Sequence, residues 1–125
     1  MDKVVELLID SVPYYDWVGF YLVKDGRLEL GPFRGAPSPH TVIEMDSGIC
    51  GAAVRDRATI IVDDVNADPR YLACSLETKS EIVVPMFKGQ EVIGEIDIDS
   101  HTPAAFTEED KILLEKIAEL VSTKV

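Results

Sequence analysis

The chain has few basic residues, little cysteine or histidine, and no long hydrophobic segment. Its 125 residues include 12 Lys and Arg against 23 Asp and Glu, which gives a formal net charge of −11. Such a surface repels phosphate backbones and anionic membranes, so we expect neither nucleic acid nor a membrane as a partner. No apolar run approaches the roughly 20 residues that span a bilayer. Because no basic segment followed by an apolar stretch begins the sequence, we expect a cytoplasmic location.

Cysteine and histidine are too sparse for a metal or disulfide framework. The two cysteines are Cys50 and Cys74, and the two histidines are His40 and His101. Their wide spacing predicts no metal site, and a reducing compartment would not favour a permanent disulfide. The chain also lacks a Walker loop, a dinucleotide-binding fingerprint, an H-E-x-x-H helix and a serine elbow. The usual signals of those enzyme classes are therefore missing.

Length and hydrophobic patterning predict a single α+β domain over residues 1–125. The hydrophobic fraction of 46% is enough for a core without metals or disulfides. Apolar residues at helical spacing predict a helix near each end and a short internal helix. Turn signals at Asp25-Gly26 and Lys88-Gly89-Gln90 predict two hairpins, so the sheet is expected to be antiparallel.

The predicted order is helix, three strands, short helix, strand, long loop, two strands and helix. The first helix is predicted over 2–12 and the short one over 48–57, with strands over 17–24, 27–33, 41–45, 58–62, 81–87 and 91–100. The last helix follows an N-cap at Thr107, and its apolar stripe is read as Leu113, Ile117, Leu120 and Val121. Residues 63–79 are read as an irregular loop, and loops this long are often functional.

Three acids share one face of the last predicted strand. Glu95, Asp97 and Asp99 alternate with Ile96 and Ile98, which must point the other way. One interpretation is a solvated face, as charged strand faces usually are. The other is a pocket floor, where neighbouring carboxylates repel and at least one stays protonated. A protonated acid there can donate to an oxygen that leaves as water.

Either cysteine is a candidate nucleophile. Cys74 follows Tyr71 in the long loop, where it is read as a small buried residue or as a nucleophile presented from the loop. Cys50 lies behind Gly48 near the start of the short helix, where the helix dipole lowers the pKa of a thiol. Acids near Cys74 would raise the pKa of that thiol instead. These local electrostatic effects favour Cys50 as the thiolate, whereas the identity of the nucleophile stays open.

Two aromatic residues stand four apart on the first predicted strand. Trp17 and Tyr21 therefore share a face, either as ordinary packing or as a wall for an apolar ligand group. His40 and His101 are isolated and are read as structural or solvated residues.

Six segments, in order and with compatible spacing, resemble the free methionine-(R)-sulfoxide reductases, single-domain enzymes of GAF fold. The resemblance covers the chain from Trp17 to Phe106. Its segments are Trp17-Val18-Gly19-Phe20-Tyr21, Gly31-Pro32-Phe33-Arg34-Gly35, Gly48-Ile49-Cys50-Gly51, Ala73-Cys74, Ser80-Glu81-Ile82-Val83-Val84-Pro85 and Asp97-Ile98-Asp99-Ser100.

The resemblance implies a fold, an activity and a set of roles. The fold is a six-stranded antiparallel sheet flanked by helices, and the activity is thiol-dependent reduction of free methionine-(R)-sulfoxide. A homodimer recycled by thioredoxin, without metal or organic cofactor, is implied. The matching positions are Cys74 for the nucleophile, Glu81, Asp97 and Asp99 for acids that bind the sulfoxide oxygen and the amino group, and Trp17 and Tyr21 for aromatics around the methyl end.

The sequence also departs from the family pattern. The family's usual resolving cysteine, ten residues before Cys50, is replaced by His40, and Ser75 stands where Asp is usual. Cys50 is then the one remaining thiol that could resolve Cys74. The alternative is a GAF module that binds a small ligand or senses redox state without turnover. Retention of Glu81 with the strand acids favours the enzyme.

Overall fold

The computed structural model describes residues 1–71 and 77–125, and its elements follow the predicted order. The elements are α1 Asp2–Ser11, β1 Trp17–Lys24, β2 Arg27–Arg34, β3 Val42–Glu44, α2 Gly48–Asp56, β4 Ile60–Val62, β5 Ser80–Lys88, β6 Glu91–Ser100 and α3 Glu108–Ser122. Within the segment predicted as an irregular loop, Val65–Ala67 forms a short 3₁₀ helix. The carboxylate of Asp64 caps it by accepting from the backbone N–H of Asn66 at 3.1 Å.

The six strands form one sheet in the order β3-β2-β1-β6-β5-β4, and all neighbours run antiparallel. The predicted α+β architecture, a six-stranded antiparallel sheet with helices at both ends of the chain and a short internal helix, is therefore confirmed. At the β1–β2 hairpin, Asp25 and Gly26 both have positive φ, at 53° and 76°. A two-residue hairpin turn of this kind needs that backbone conformation, which glycine adopts without strain.

The sheet buries a different core on each face. On one face α1 and α3 cover an aliphatic core that includes Phe20, Ile96 and Ile98. On the other face α2 covers a second cluster that includes Tyr21 and Cys50. Strand alternation sends neighbouring residues of β1 and β6 to opposite cores. In the described parts of the chain, no helix combines the length and apolarity needed to cross a bilayer.

The apolar stripe predicted for α3 is wrong at two positions. Leu113 and Leu120 are 46% and 61% exposed, whereas Leu114, Ala118 and Val121 are buried. The prediction failed because the buried face of α3 begins with Asp110. A polar residue at that position interrupts the apolar pattern from which the buried face was predicted.

Asp110 ties the start of α3 to the segment between α1 and β1. Its Oδ1 accepts from the hydroxyls of Tyr14 at 2.7 Å and Tyr15 at 2.6 Å. Its Oδ2 accepts from the backbone N–H of Thr107 at 2.8 Å, which confirms Thr107 as the N-cap. Burial alone would raise the pKa of this carboxyl, but the hydrogen bonds outweigh burial and lower it.

We expect Asp110→Ala to lower the free energy of unfolding by about 3 kcal/mol, because it leaves the buried Tyr15 hydroxyl and the helix start without their acceptor. Urea denaturation at pH 7 measures this loss. Because the folded pKa is lowered, the contribution is present above the ordinary Asp pKa of about 3.9 and disappears as pH falls through the folded value. Glu109→Ala, in the same turn but exposed, is the control; equal losses in both variants would contradict the role of Asp110.

Candidate functional site

The candidate site lies on the sheet face that α2 covers. Residues opposite one another in neighbouring antiparallel strands place their Cβ atoms about 5 Å apart on one face. The pairs are Trp17 with Asp99, Gly19 with Asp97 and Tyr21 with Glu95 across β1, and Glu81 with Asp99 and Val83 with Asp97 across β5. The register thus gathers four carboxyl groups from two strands beside the aromatics of a third.

All four carboxyl groups are buried, so the interpretation of β6 as a solvated acidic face is wrong. Glu81, Glu95, Asp97 and Asp99 are between 0% and 4% exposed. In the described parts of the chain, no Lys, Arg or His forms an ion pair with the three acids of β6. The charged forms are therefore poorly stabilised.

Burial raises the pKa of each acid of β6. For Asp99 the charge of Asp97 raises the pKa further, and a hydrogen bond from Glu81 offsets part of the rise. For Asp97, hydrogen bonds with Glu81 and Cys50 offset the effect of burial in part. This is the electrostatic setting that the pocket-floor interpretation requires, because burial and neighbouring charge raise the pKa of these carboxyl groups and so favour their protonated forms.

Cys50 is buried beneath these acids, and its thiol donates to Oδ2 of Asp97 at 3.4 Å. Burial, followed by the charges of Asp97, Glu95 and Glu81, raises the pKa of this thiol well above its ordinary value. The prediction that the helix dipole lowers the pKa is therefore wrong. The dipole of the nine-residue α2 is outweighed because the thiol faces carboxylates rather than water.

Glu95 is an unusual member of this cluster. It is 0% exposed, and burial raises its pKa well above the ordinary value, with Asp97 adding to the rise. Its carboxyl faces the Cys50 thiol, which offsets the rise in part, yet neither oxygen has a hydrogen bond of good geometry to any described residue. The sequence placed Glu95 on the acidic face but gave it no role. The alternation of Glu95 with Ile96 and Ile98 was the feature of the sequence that could have indicated its place in the site.

The two aromatics of β1 lie on one face, as predicted. The ring centroids of Trp17 and Tyr21 are 6.4 Å apart, and Trp17 also stacks on Phe33 at 5.7 Å. Tyr21 donates its hydroxyl to the carbonyl of His40 at 2.7 Å. Phe33 was not singled out from the sequence, although it lies in one of the segments of the family resemblance.

Gly19 allows Trp17 to lie across the sheet. A Cβ at position 19 would stand 2.3 Å from Cη2 of the indole, far inside van der Waals contact. The indole Nε1 donates to the carbonyl of Ala36 at 2.9 Å and fixes the ring at its other edge.

Two cavities open beside the cluster. The smaller has about 10 Å³ of free space, enough for one water molecule or ion. It is lined by Cys50, Glu81 and Asp97 together with Tyr21, His40, Ile43, Gly48 and Ile49. The larger has about 180 Å³ and is lined by Trp17 and Asp99 together with Asp16, Ala36, Pro37, Ser38, Glu77, Thr78 and His101.

Cys74, the predicted nucleophile, lies outside the described residues. The described residues nearest to it in sequence are Tyr71 and Glu77. Tyr71 packs against the cluster that contains Cys50, and Glu77 lines the larger cavity. The described residues on both sides of Cys74 in sequence therefore lie at the candidate site.

A family model for the GAF domain matches residues 1–125. The chain belongs to the GAF family. Among solved structures, this GAF domain is similar to a type II free methionine-R-sulfoxide reductase from Thermoplasma acidophilum. The TM-score is 0.97 at 43% identity, covering 98% of this chain and 87% of that one. A free methionine-R-sulfoxide reductase from Neisseria meningitidis in complex with its substrate matches with a TM-score of 0.92 at 37% identity, covering 98% and 73%.

Curated relatives support the same grouping. The free methionine-R-sulfoxide reductase of Saccharomyces cerevisiae is 41% identical over 86% of this GAF domain and 61% of its own length. The chain spans 61% to 70% of the lengths of this relative and of two others, from Bacillus subtilis and Dictyostelium discoideum. The resemblance to the free methionine-(R)-sulfoxide reductases is thus confirmed at the level of the family.

We expect Gly19→Ala to displace the indole and to destabilise the fold by about 1–3 kcal/mol through overpacking. Trp17 is the sole tryptophan and is 8% exposed, so its fluorescence should shift to the red as the ring moves toward water. Gly31→Ala is the control, since a Cβ there would meet its nearest atom at 3.4 Å, an ordinary contact. An unshifted spectrum for Gly19→Ala would show that the close approach does not position the ring.

We expect Glu95→Gln to flatten the dependence of stability on pH. A carboxyl whose folded pKa is raised loses stability as pH rises from its ordinary pKa of about 4.3 toward the folded value, by at most about 1.4 kcal/mol per pH unit. The amide has the same size and carries no charge, so this slope disappears. Urea denaturation between pH 4 and 8 tests it, with the exposed Glu91→Gln as control; parallel curves for wild type and Glu95→Gln would contradict it.

Proposed function

We propose that this GAF domain reduces free methionine-(R)-sulfoxide to methionine, with Cys74 as nucleophile and Cys50 as resolving thiol. The observation that carries the proposal is the convergence of buried carboxyl groups on a buried thiol, in a family that contains free methionine-R-sulfoxide reductases. Burial raises the pKa of the three carboxyl groups on β6. Sulfoxide reduction needs both a sulfur nucleophile and a proton donor for the oxygen.

The first step transfers oxygen from substrate to enzyme. The Cys74 thiolate attacks the sulfoxide sulfur, and a protonated acid of the cluster donates to the sulfoxide oxygen as the S–O bond breaks. The overall products are methionine and a Cys74 sulfenic acid, so the substrate sulfur gains the two electrons that the Cys74 sulfur loses. The raised pKa values of Asp97 and Asp99 supply such a proton donor.

The second step regenerates the nucleophile. The Cys50 thiol condenses with the sulfenic acid, forming the Cys50–Cys74 disulfide and releasing water. Because the pKa of Cys50 is raised, its thiol needs a base, and Asp97 already accepts its hydrogen bond. A thioredoxin-type dithiol then reduces the disulfide by exchange.

The larger cavity suits a free amino acid. Its volume of about 180 Å³ is modest, and Asp99, Asp16 and Glu77 on its lining can attract a substrate ammonium group. Trp17 on the same lining, with Tyr21 behind it, offers an apolar wall for the methyl end of the substrate. Glu81 and Asp97 line the smaller cavity and would meet the sulfoxide oxygen.

The proposal extends to assembly and location. We propose a cytoplasmic homodimer, and exposed apolar residues along α3, namely Ile112, Leu113 and Leu120, support an interface there.

The decisive assay separates the two cysteines. With thioredoxin, its reductase and NADPH, the wild type should consume NADPH with the free R epimer but not with the S epimer or with peptide-bound sulfoxide. Cys74→Ser should fall to the uncatalysed background. Without reductant, Cys50→Ser should still form about one methionine per chain, since it lacks only the resolving step; with thioredoxin, its turnover should be lost.

Two outcomes would overturn the assignments. Activity that survives Cys74→Ser would transfer the nucleophile role to Cys50. Mass spectrometry after one turnover should find the Cys50–Cys74 disulfide, and a persistent Cys74 sulfenic acid without that bond would contradict the role of Cys50. Binding of the sulfoxide without any turnover would instead indicate a ligand-binding module.

A further inference from the structure

Three donor atoms from distant parts of the chain converge at the smaller cavity. The Sγ of Cys50 and carboxyl oxygens of Glu81 and Asp97 all lie within 4.8 Å of one another, and all three residues are buried. The sequence predicted no metal site because its cysteines and histidines are widely spaced. Spacing could not reveal this cluster, since it joins a helix to two strands.

The spacing of these atoms suits a tetrahedral ion. Zinc binds thiolate sulfur at about 2.3 Å and carboxylate oxygen at about 2.0–2.2 Å, which separates sulfur and oxygen ligands by about 3.6 Å. The Sγ of Cys50 and Oδ2 of Asp97 are already 3.4 Å apart. A carboxyl oxygen of Glu81 lies within 4.8 Å of both atoms, and the cavity that the three residues help to line has about 10 Å³ of free space, the size of an ion.

Unsatisfied acceptors beside the cluster are an independent sign of a cation. Oδ1 of Asp97 and both carboxyl oxygens of Glu95 are buried and have no hydrogen bond to any residue that the structure describes. Glu95 faces the Cys50 thiol from within the sheet face. A buried carboxylate without a partner is costly, and a bound cation removes that cost.

We propose that Cys50, Glu81 and Asp97 bind one Zn²⁺ ion, with the fourth position open toward the small cavity. Binding replaces the proton of the Cys50 thiol with the metal, and a ligand carboxyl that holds a proton loses it as well, so the site releases protons as the ion binds. The mixed sulfur and oxygen donors favour zinc or a similar first-row ion over Mg²⁺ or Ca²⁺, which prefer oxygen alone.

Zinc at this position would inhibit the reductase reversibly. It occupies the resolving thiol and two of the acids at once, so neither disulfide formation nor proton delivery can proceed. This consequence rests on the proposed function, whereas the binding of the metal does not.

Co²⁺ tests the site because a thiolate ligand gives it an intense near-ultraviolet charge-transfer band. We expect the reduced wild-type protein to develop this band at one Co²⁺ per chain and to lose it when Zn²⁺ is added. Cys50→Ser should abolish the band, and Asp97→Asn should weaken binding at least about tenfold. Cys74→Ser should keep the band, and an equal concentration of Mg²⁺ should not displace Co²⁺.

The outcomes separate this proposal from the proposed function. A band that depends on Cys74 rather than Cys50 would overturn the metal site even if the enzyme turns over. So would the absence of a band in wild-type protein that Trp17 fluorescence shows to be folded. A Cys50-dependent band in a protein without reductase activity would support the site and reject the function. Inhibition by Zn²⁺ with no Co²⁺–thiolate band would place the inhibitory metal elsewhere.

Discussion

The structure depends on burying four carboxyl groups and a thiol on one face of a sheet. Ile96 and Ile98 belong to the aliphatic core on the opposite face, and this fixes the orientation of every residue of β6. A shift of one residue would move the isoleucines out of this core and put the acids into it, so the acids cannot turn away from α2. Packing of the isoleucines on one face therefore holds the carboxyl groups of β6 buried and close together on the other face.

Burial of these carboxyl groups accounts for the raised pKa values at the site. Carboxyl groups that are poorly solvated keep protons or attract a cation, and a thiol beside them resists ionisation. The proposed proton donation to a sulfoxide and the proposed coordination of zinc would both use this arrangement. The four buried carboxyl groups lower stability when they are charged. The hydrophobic clusters on both faces and contacts such as those of Asp110 offset this cost.

Local sequence patterns predicted the elements well but not their surroundings. Alternation along β6 and the turn signals at Asp25-Gly26 are short-range features, and both were read correctly. Burial of Asp97 depends on α2 and β5, which are distant in sequence, so alternation alone left two interpretations open. The pKa of Cys50 was predicted with the wrong sign for the same reason, because its nearest charges come from other strands rather than from its own helix.

The central claim is that acids of β6 keep their protons in the folded protein, and carboxyl-carbon NMR measures this directly. In protein labelled at the side-chain carboxyl carbons of Asp and Glu, the resonances of Glu95, Asp97 and Asp99 would be followed from pH 3 to 9. We expect Glu95 and at least one of Asp97 and Asp99 to stay at the protonated position above the ordinary pKa values of about 4, because burial raises the pKa of each. Titration of all three near the ordinary values of about 4 would contradict the account.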